Sequence, residues 1–360
     1  MKSEPDTDEL LQQITELSHK FGSTDYVHGG GGNTSAKTED TLWVKPSGTA
    51  LKTLRPDSFV ALDRSKLSIL YETQPPQDTG EREKFVKNVL AEAKISSSAG
   101  RPSVEALLHD SLSARFVVHT HPALVNGMTC ARRGSEAATE LFPQALWLDY
   151  FDPGITLCME VRRRVKDYKS RIACEPKIVF LKNHGVFVAA DTPRQIEQLY
   201  KLIIERLTEA YAQTGMELKL PVSALPRQAE IEKVRSAIRR AWGEPCFIEV
   251  SGKFDCAEGP LSPDHIVYAK SFPFTEAPTA GAVSAFEKQY GYKPQVFVGP
   301  ATVCGAAPSQ RQAAVALELA RDGALVKQLA AAFGGIEYIT EAARRFIEGW
   351  EAETYRSSQI

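Results

Sequence analysis

Hydrophobic positions recur at the helical period from the start of the chain. Leu10, Ile14, Leu17 and Phe21 fall on one face, with Asp6 and Glu9 at capping-box spacing before them, which predicts a first helix. The pattern breaks at the glycine run Gly29–Gly32 and gives way to short strand-like stretches, Thr41–Val44 and, after Pro56 and Asp57, Phe59–Leu62. Residues 72–100 are polar, with Pro75, Pro76 and a Ser/Ala/Gly cluster at 96–100, and are expected to form an exposed excursion. A helix is expected to open near Pro102, a residue suited to a first turn, and to run to about Leu112. Two apolar, β-branched runs, Phe116–Val118 and Lys177–Leu181, have the character of buried strands. The second leads through Asn183–Gly185 into Val186–Ala189.

Asp191, Thr192 and Pro193 cap a long helix whose buried stripe is Ile196, Leu199, Ile203, Leu207 and Tyr211, and Gly215 stops it. Residues 213–227 carry two prolines and no period, which places a boundary near 222. Beyond it the pattern predicts a helix over 228–242, short strands near 246–250, 265–270 and 296–299, and Ala-rich helices near 309–332 and 336–355. Strands alternating with helices give an α/β domain over 1–222, followed by a smaller α+β extension over 223–360.

Composition narrows the partners. The 360 residues carry 43 Lys plus Arg against 45 Asp plus Glu, a formal net charge of −2. Phosphate-backbone binding needs clustered, excess cations, so neither nucleic acid nor a membrane surface is expected as a partner. The opening MKSEPDTDEL is too polar for the core of a signal peptide. The charge-free stretches 116–131 and 294–310 contain His and Asn or Pro and do not read as membrane spans. Six cysteines without a CxxC pair read as reduced, mostly buried thiols, which makes the cytoplasm the expected compartment.

Several chemistries are excluded by their missing signatures. The glycine run is followed by Asn33, Thr34 and Ser35, so it fails as GxGxxG, and neither a phosphate loop, HExxH nor GxSxG occurs. Cys130 has no surrounding pattern of a nucleophile and reads as a small core residue.

The informative feature is VVHTHP, residues 117–122. Side chains at i and i+2 of a strand share a face, so His119 and His121 can reach one ion; two imidazoles on an exposed strand end are the alternative. His184 also follows a β-branched run. Three histidines with an open fourth position are the arrangement of a catalytic zinc, whereas a structural site is closed by four protein ligands. Glu105 is expected in the first turn of its helix, where the dipole favours its charged form, but spacing alone does not separate it from a surface Glu. His109, four residues on, reads either as a group behind the site or as a packed helical histidine. His28 could line a site or serve a turn, while His19 and His265 have no His partner nearby.

Five segments in order are HGGGGNTS (28–35), KPSGTALKTL (45–54) with VALD (60–63), RPSVEALLH (101–109), HTHP (119–122) and LKNHGVFV (181–188). Together, across roughly residues 8–215, they resemble the class II aldolase/adducin-head family. The likeness is greatest to the aldolase half of bifunctional aldolase/short-chain dehydrogenases and of rhamnulose-phosphate aldolase/alcohol dehydrogenases. Those share the PSxExxLH form and a C-terminal stretch like 259–270 (GPLSPDHIVYAK) and 344–355, and Ile360 is expected to stand where that half ends.

The resemblance implies a three-layer α/β/α class II aldolase-like domain with a C-terminal α+β appendage. It implies zinc, or another divalent metal, on His119, His121 and His184, with Glu105 as catalytic acid/base. Asn33, Ser35, Ser47, Gly48 and Ser103 match the residues that hold the substrate's phosphate or carboxylate end, and Tyr150 falls loosely where a catalytic tyrosine is recruited. The implied activity is a zinc-dependent aldolase, cleaving a ketose such as a sugar 1-phosphate by retro-aldol reaction through a metal-stabilised enediolate. Epimerase, dehydratase or decarboxylase chemistry on the same site, or a non-catalytic adducin-like module, are the alternatives. A homo-oligomer, dimer or tetramer, is implied as well. Val104 stands where simpler sugar-phosphate aldolases have a second Ser, and Lys37, Lys45 or Arg101 would have to replace that hydroxyl with charge.

Overall fold

The computed structural model describes residues 6–95, 98 and 100–350. In chain order its elements begin α1 (Thr7–Lys20), β1 (Asn33–Lys37), β2 (Thr41–Val44), β3 (Val60–Asp63), α2 (Arg64–Glu72), α3 (Thr79–Ala93), α4 (Ala106–Asp110) and β4 (Phe116–Thr120). They continue α5 (Ala123–Thr129), α6 (Gly134–Leu141), β5 (Leu146–Leu148), α7 (Ile155–Ile172), β6 (Ile178–Leu181), β7 (Gly185–Ala190) and α8 (Pro193–Gln213). The remainder is α9 (Gln228–Trp242), β8 (Phe247–Gly252), α10 (Pro263–Ala269), α11 (Ala280–Tyr290), β9 (Val296–Val298), β10 (Thr302–Ala307), α12 (Gln310–Ala330) and α13 (Glu341–Gly349). The backbone groups into two compact units. One is formed by the described residues up to Pro122 with Ala138–Glu205, the other by Ala123–Ala137 with the described residues from Arg206 on. The boundary expected near 222 thus lies inside the second unit.

The first unit is built on a seven-stranded sheet in the order β3-β2-β1-β4-β7-β6-β5, antiparallel throughout except for β5 with β6. One face carries α1 and α8. The Ser18 hydroxyl bonds Thr34 at 2.7 Å, and Tyr200 Oη lies 2.8 Å from Thr120 Oγ1 and donates to the Val118 carbonyl at 3.1 Å. The other face carries α2, α3, α4 and α7, which close an apolar core over Leu42, Val44, Val117 and Phe187. The result is a mixed α/β domain of three layers.

Three local expectations are corrected here. Residues 72–100 are not an exposed excursion, because α3 buries Val86, Val89, Leu90 and Ala93 on one stripe and is capped by Asp78, whose side chain accepts from the Glu81 amide at 3.0 Å. Fully burying such Val and Leu side chains contributes roughly 1.5–3 kcal/mol each. Residues 265–270 are helical rather than extended. All seven residues of α10 are buried, Asp264 and His265 among them, and a short run buried all round has no period to separate helix from strand. The helix expected from Pro102 opens only at Ala106, since Pro102 forms an antiparallel bridge with Pro46. Of the last expected helix, residues 341–349 are helical, whereas 351–355 and three positions of the 96–100 cluster lie outside the described residues.

The second unit contains the sheet β8-β10-β9, with Ile238, Trp242, Phe274, Phe286 and Phe297 packed in one core. Within this unit α5 and α12 approach so closely that a Cβ on Gly127 would stand 2.5 Å from both Leu329 Cβ and Tyr211 Oη. His265 is buried with Ser262 Oγ 2.7 Å from Nδ1 and Asp322 Oδ2 3.1 Å from Nε2. Cys130, Cys158, Cys246, Cys256 and Cys304 are buried and Cys174 is exposed, all as free thiols. No described helix is long and apolar enough to cross a membrane.

Candidate active site

Strand β4 delivers His119 and, just past its end, His121. In the antiparallel register His119 stands between Asn33 of β1 and Phe187 of β7, one row across three strands with side chains on a common face. The His119 ring stacks on Phe187 at 3.8 Å between centroids, 9° from parallel. Its Nδ1 lies 3.0 Å from the Val186 carbonyl, so the ring hydrogen sits there and Nε2 presents its lone pair. The His121 amide donates to the Tyr26 carbonyl at 2.9 Å, and Tyr26 is fixed edge-on against Phe21 and Tyr200.

His184 stands at the tip of the β6–β7 hairpin. There Leu181 pairs with Gly185, Asn183 adopts φ +54°, and the His184 amide donates to the Leu181 carbonyl at 3.2 Å. Gly185 is required by crowding: a Cβ there would meet the Thr120 carbonyl oxygen at 2.4 Å and His121 Cδ2 at 2.6 Å. Replacing Gly185 by Ala must push β4 or the His121 ring aside. We expect Gly185→Ala to weaken divalent-metal binding by at least about 10-fold, the lower end for losing an orienting partner of a ligand. A competition titration with a chromophoric chelator checks this, and affinity within twofold of wild type would contradict it.

The three side chains converge. His119 Nε2 is 2.9 Å from His121 Nε2 and 3.3 Å from His184 Nε2, and one ligand atom from each residue lies within 4.8 Å of the others. Tetrahedral zinc with Zn–N bonds of about 2.05 Å sets its nitrogens about 3.3 Å apart, so the donor set fits. All three histidines are buried. Glu105 Oε1 is 3.4 Å from Nε2 of both His119 and His184, and Asn33 Nδ2 donates to Glu105 Oε2 at 3.4 Å.

Burial lowers the His119 pKa to about 4, which leaves its ring uncharged at neutral pH and its lone pair free to bind. Burial pushes Glu105 upward, but attraction to positive charge held among the His119 and His184 rings it faces outweighs burial, and the carboxyl sits well below the usual range. The two directions describe one cluster. Imidazole lone pairs and a carboxylate oxygen facing one another are favourable only with a positive charge among them, supplied by a proton or a metal ion.

Glu105 occupies the N-cap of α4 with φ −83° and ψ −1°, not its first turn. Its amide donates to Ser103 Oγ at 3.2 Å, so that hydroxyl supports the turn carrying Glu105. Ser47 and Gly48 (φ +78°) lie on the loop beside this segment, where the Ser47 amide donates to the Arg101 carbonyl at 2.9 Å. Lys45 is buried beneath this loop and the glycine run, donating to the Thr49 carbonyl at 2.7 Å and the Gly30 carbonyl at 3.1 Å.

Ser35 and Tyr150 are placed otherwise than expected. Ser35 is fully buried with its hydroxyl 2.8 Å from His109 Nδ1, so it is committed to the interior rather than to a ligand. The Tyr150 hydroxyl donates to Asp152 Oδ1 at 3.3 Å and bonds none of the histidines or Glu105.

Phe187 is a part of the site that the sequence does not single out, and Lys37 is placed otherwise than expected. The cross-strand partner of an HxH strand, two residues beyond the Gly185 turn, is the signal that could have found Phe187. Lys37 is buried and donates to the carbonyls of His109 and Leu112, so its charge is not available to replace the hydroxyl missing at Val104. Burial lowers its pKa from 10.5 to about 7. The folded state then binds fewer protons than the unfolded state between pH 7 and 10.5, so stability rises with pH across that window. The expected slope reaches up to about 1.4 kcal/mol per pH unit. Urea unfolding at several pH values should show it in the wild type and lose it in Lys37→Met; equal slopes would refute the assignment.

A model of the Class II Aldolase and Adducin N-terminal domain matches residues 12–211. The protein described as uncharacterized oxidoreductase YuxG of Bacillus subtilis is 29% identical over 211 residues, which is 56% of this chain. The chain spans only 29% of that relative's length. L-fuculose phosphate aldolase of Methanocaldococcus jannaschii is 23% identical over 185 residues, 49% of this chain and 81% of that protein. Among solved structures, the N-terminal class II aldolase domain of a conserved Thermoplasma acidophilum protein covers 58% of this chain and 95% of its own at 24% identity, with a TM-score of 0.48. The family model spans more than half of the chain, over the stretch that holds Asn33, Glu105 and the three histidines, and the chain belongs to the class II aldolase and adducin N-terminal domain family.

Proposed function

We propose that this chain is a divalent-metal-dependent aldolase that cleaves a ketose, of the sugar 1-phosphate class, by a retro-aldol reaction. The observation that supports it is the set of two imidazole nitrogens and one carboxylate oxygen within 3.4 Å of His119 Nε2. His119, His121 and His184 would hold the ion, and zinc suits three imidazoles with one position left open. Bound there, the ion supplies Lewis-acid stabilisation of the negative charge that develops on the substrate's oxygens as the C–C bond breaks.

The chain's own groups do the rest. Glu105, ionised at neutral pH and with its second oxygen fixed by Asn33, takes up the proton released by the hydroxyl that becomes the aldehyde and delivers it to the carbon that keeps the electron pair of the broken C–C bond. The Gly48 turn and the hydroxyls of Ser47 and Ser103 supply donors for the substrate's anionic end, on a loop that Lys45 braces through the Gly30 and Thr49 carbonyls. The fuculose-phosphate aldolases among the relatives support a phosphorylated ketose. Zinc-loaded protein should be tested on a panel of ketose 1-phosphates and the matching free ketoses, with detection of dihydroxyacetone phosphate. Release from at least one phosphate, suppressed by a chelator, is the expected result. Interconversion of epimers with no cleavage of any member would reject the aldolase.

A further inference from the structure

Helix α4 is five residues long, far below the roughly 12–15 at which a helix becomes marginal alone, so its position is set by what it touches. It touches β1 in a regular way. Asn33, Ser35 and Lys37 point to one face of that strand, the face on which His119 stands, beside the apolar core of that layer. Each has its partner on or beside α4. Asn33 bonds the Glu105 carboxylate at the helix start, and Ser35 bonds the His109 ring one turn later. Lys37 donates to the carbonyls of His109 and Leu112, where the helix ends. Alternate strand residues are about 6.7 Å apart and one helical turn rises about 5.4 Å, so the two periods run in step over this length. The His109 ring also sits edge-on to Phe187 at 5.4 Å, and Phe187 is the plate on which His119 lies.

We infer that this polar row of β1 registers α4 against the sheet and so holds Glu105 against the histidines, which makes Ser35, Lys37 and His109 positioning residues for Glu105. The inference rests on the reading of the three histidines as a metal site. The histidines themselves come from β4 and the β6–β7 hairpin, so loosening α4 displaces the carboxylate and leaves the ligand set in place.

Cobalt(II) substitution tests this, because its visible spectrum responds to a carboxylate beside the ion. Spectra and cobalt affinity are compared for wild type, Ser35→Ala, Lys37→Met, His109→Leu, His109→Asn, Glu105→Gln and the Ser35→Ala/Glu105→Gln double variant. Ser35→Ala, Lys37→Met and His109→Leu should shift the spectrum toward that of Glu105→Gln, with affinity within about threefold of wild type. The double variant should match Glu105→Gln alone. His109→Asn, whose amide can replace Nδ1 against Ser35, should restore the wild-type spectrum. Wild-type spectra in Ser35→Ala and His109→Leu, a double variant shifted beyond Glu105→Gln, or a spectrum indifferent to Glu105→Gln would each overturn the inference while leaving the metal reading intact. A wild-type chain that takes up no cobalt would overturn the metal reading and this inference with it.

Discussion

Glu105→Gln is expected to lower turnover about 10²–10⁴-fold, the usual worth of a positioned proton-transfer group, with zinc content unchanged. The amide has the same shape, and its oxygen can still accept from Asn33 Nδ2, so the N-cap of α4 keeps its partner. What it loses is the ability to take up and return a proton. The three imidazoles converge without it, so the metal is expected to stay. Metal analysis alongside steady-state rates on the cleaved ketose phosphate gives the measurement. A variant within fivefold of wild type would remove Glu105 from the reaction.

His184→Ala should abolish turnover and lower zinc affinity by more than the roughly 10–100-fold that loss of an outer partner costs, because a donor itself is removed. Its effect on the metal-free protein is the control. There Glu105 loses one of the two rings it faces and the truncated side chain leaves a cavity, so the metal-free variant should unfold somewhat below the wild-type Tm. Zinc should then raise the wild-type Tm and leave the variant's unchanged, since stabilisation by a ligand scales with ligand concentration over Kd. An equal zinc-induced rise in both proteins would show that His184 is not a ligand.

Several elements are legible in a short window of sequence. The stripe of α1, the strands β2, β4, β6 and β7, and the helices α8, α9 and α12 each announce themselves within a window of their own length. Strand β1 does not. Asn33-Thr34-Ser35-Ala36-Lys37 has the composition of a loop, and the reason it is a buried central strand lies 74 residues away, where His109 receives the Ser35 hydroxyl. Long-range pairing of polar groups leaves no period in the chain. The stripe of α3 (Val86, Val89, Leu90, Ala93) is periodic but sits among charged residues that hide it. At the site, the spacing of His119 and His121 is a local strand signal, whereas His184 and Glu105 come from other elements. The β-branched run before His184 marks it as a candidate, whereas Glu105 is joined to the histidines only through the order of the family's motifs.

The chain leaves the first unit immediately after Pro122, contributes α5 to the second, and returns at Ala138, well before the third histidine. The two units are therefore not beads on a string. No single cut separates them, since a fragment ending near 222 would keep α5 and lose α12, leaving Gly127 without the Leu329 side chain that packs on it. Recombination and deletion act on contiguous segments of a gene, so this stitched path resists modular exchange. The second unit is removable only by excising two pieces at once. Limited proteolysis should accordingly release no stable fragment that carries the histidine cluster alone.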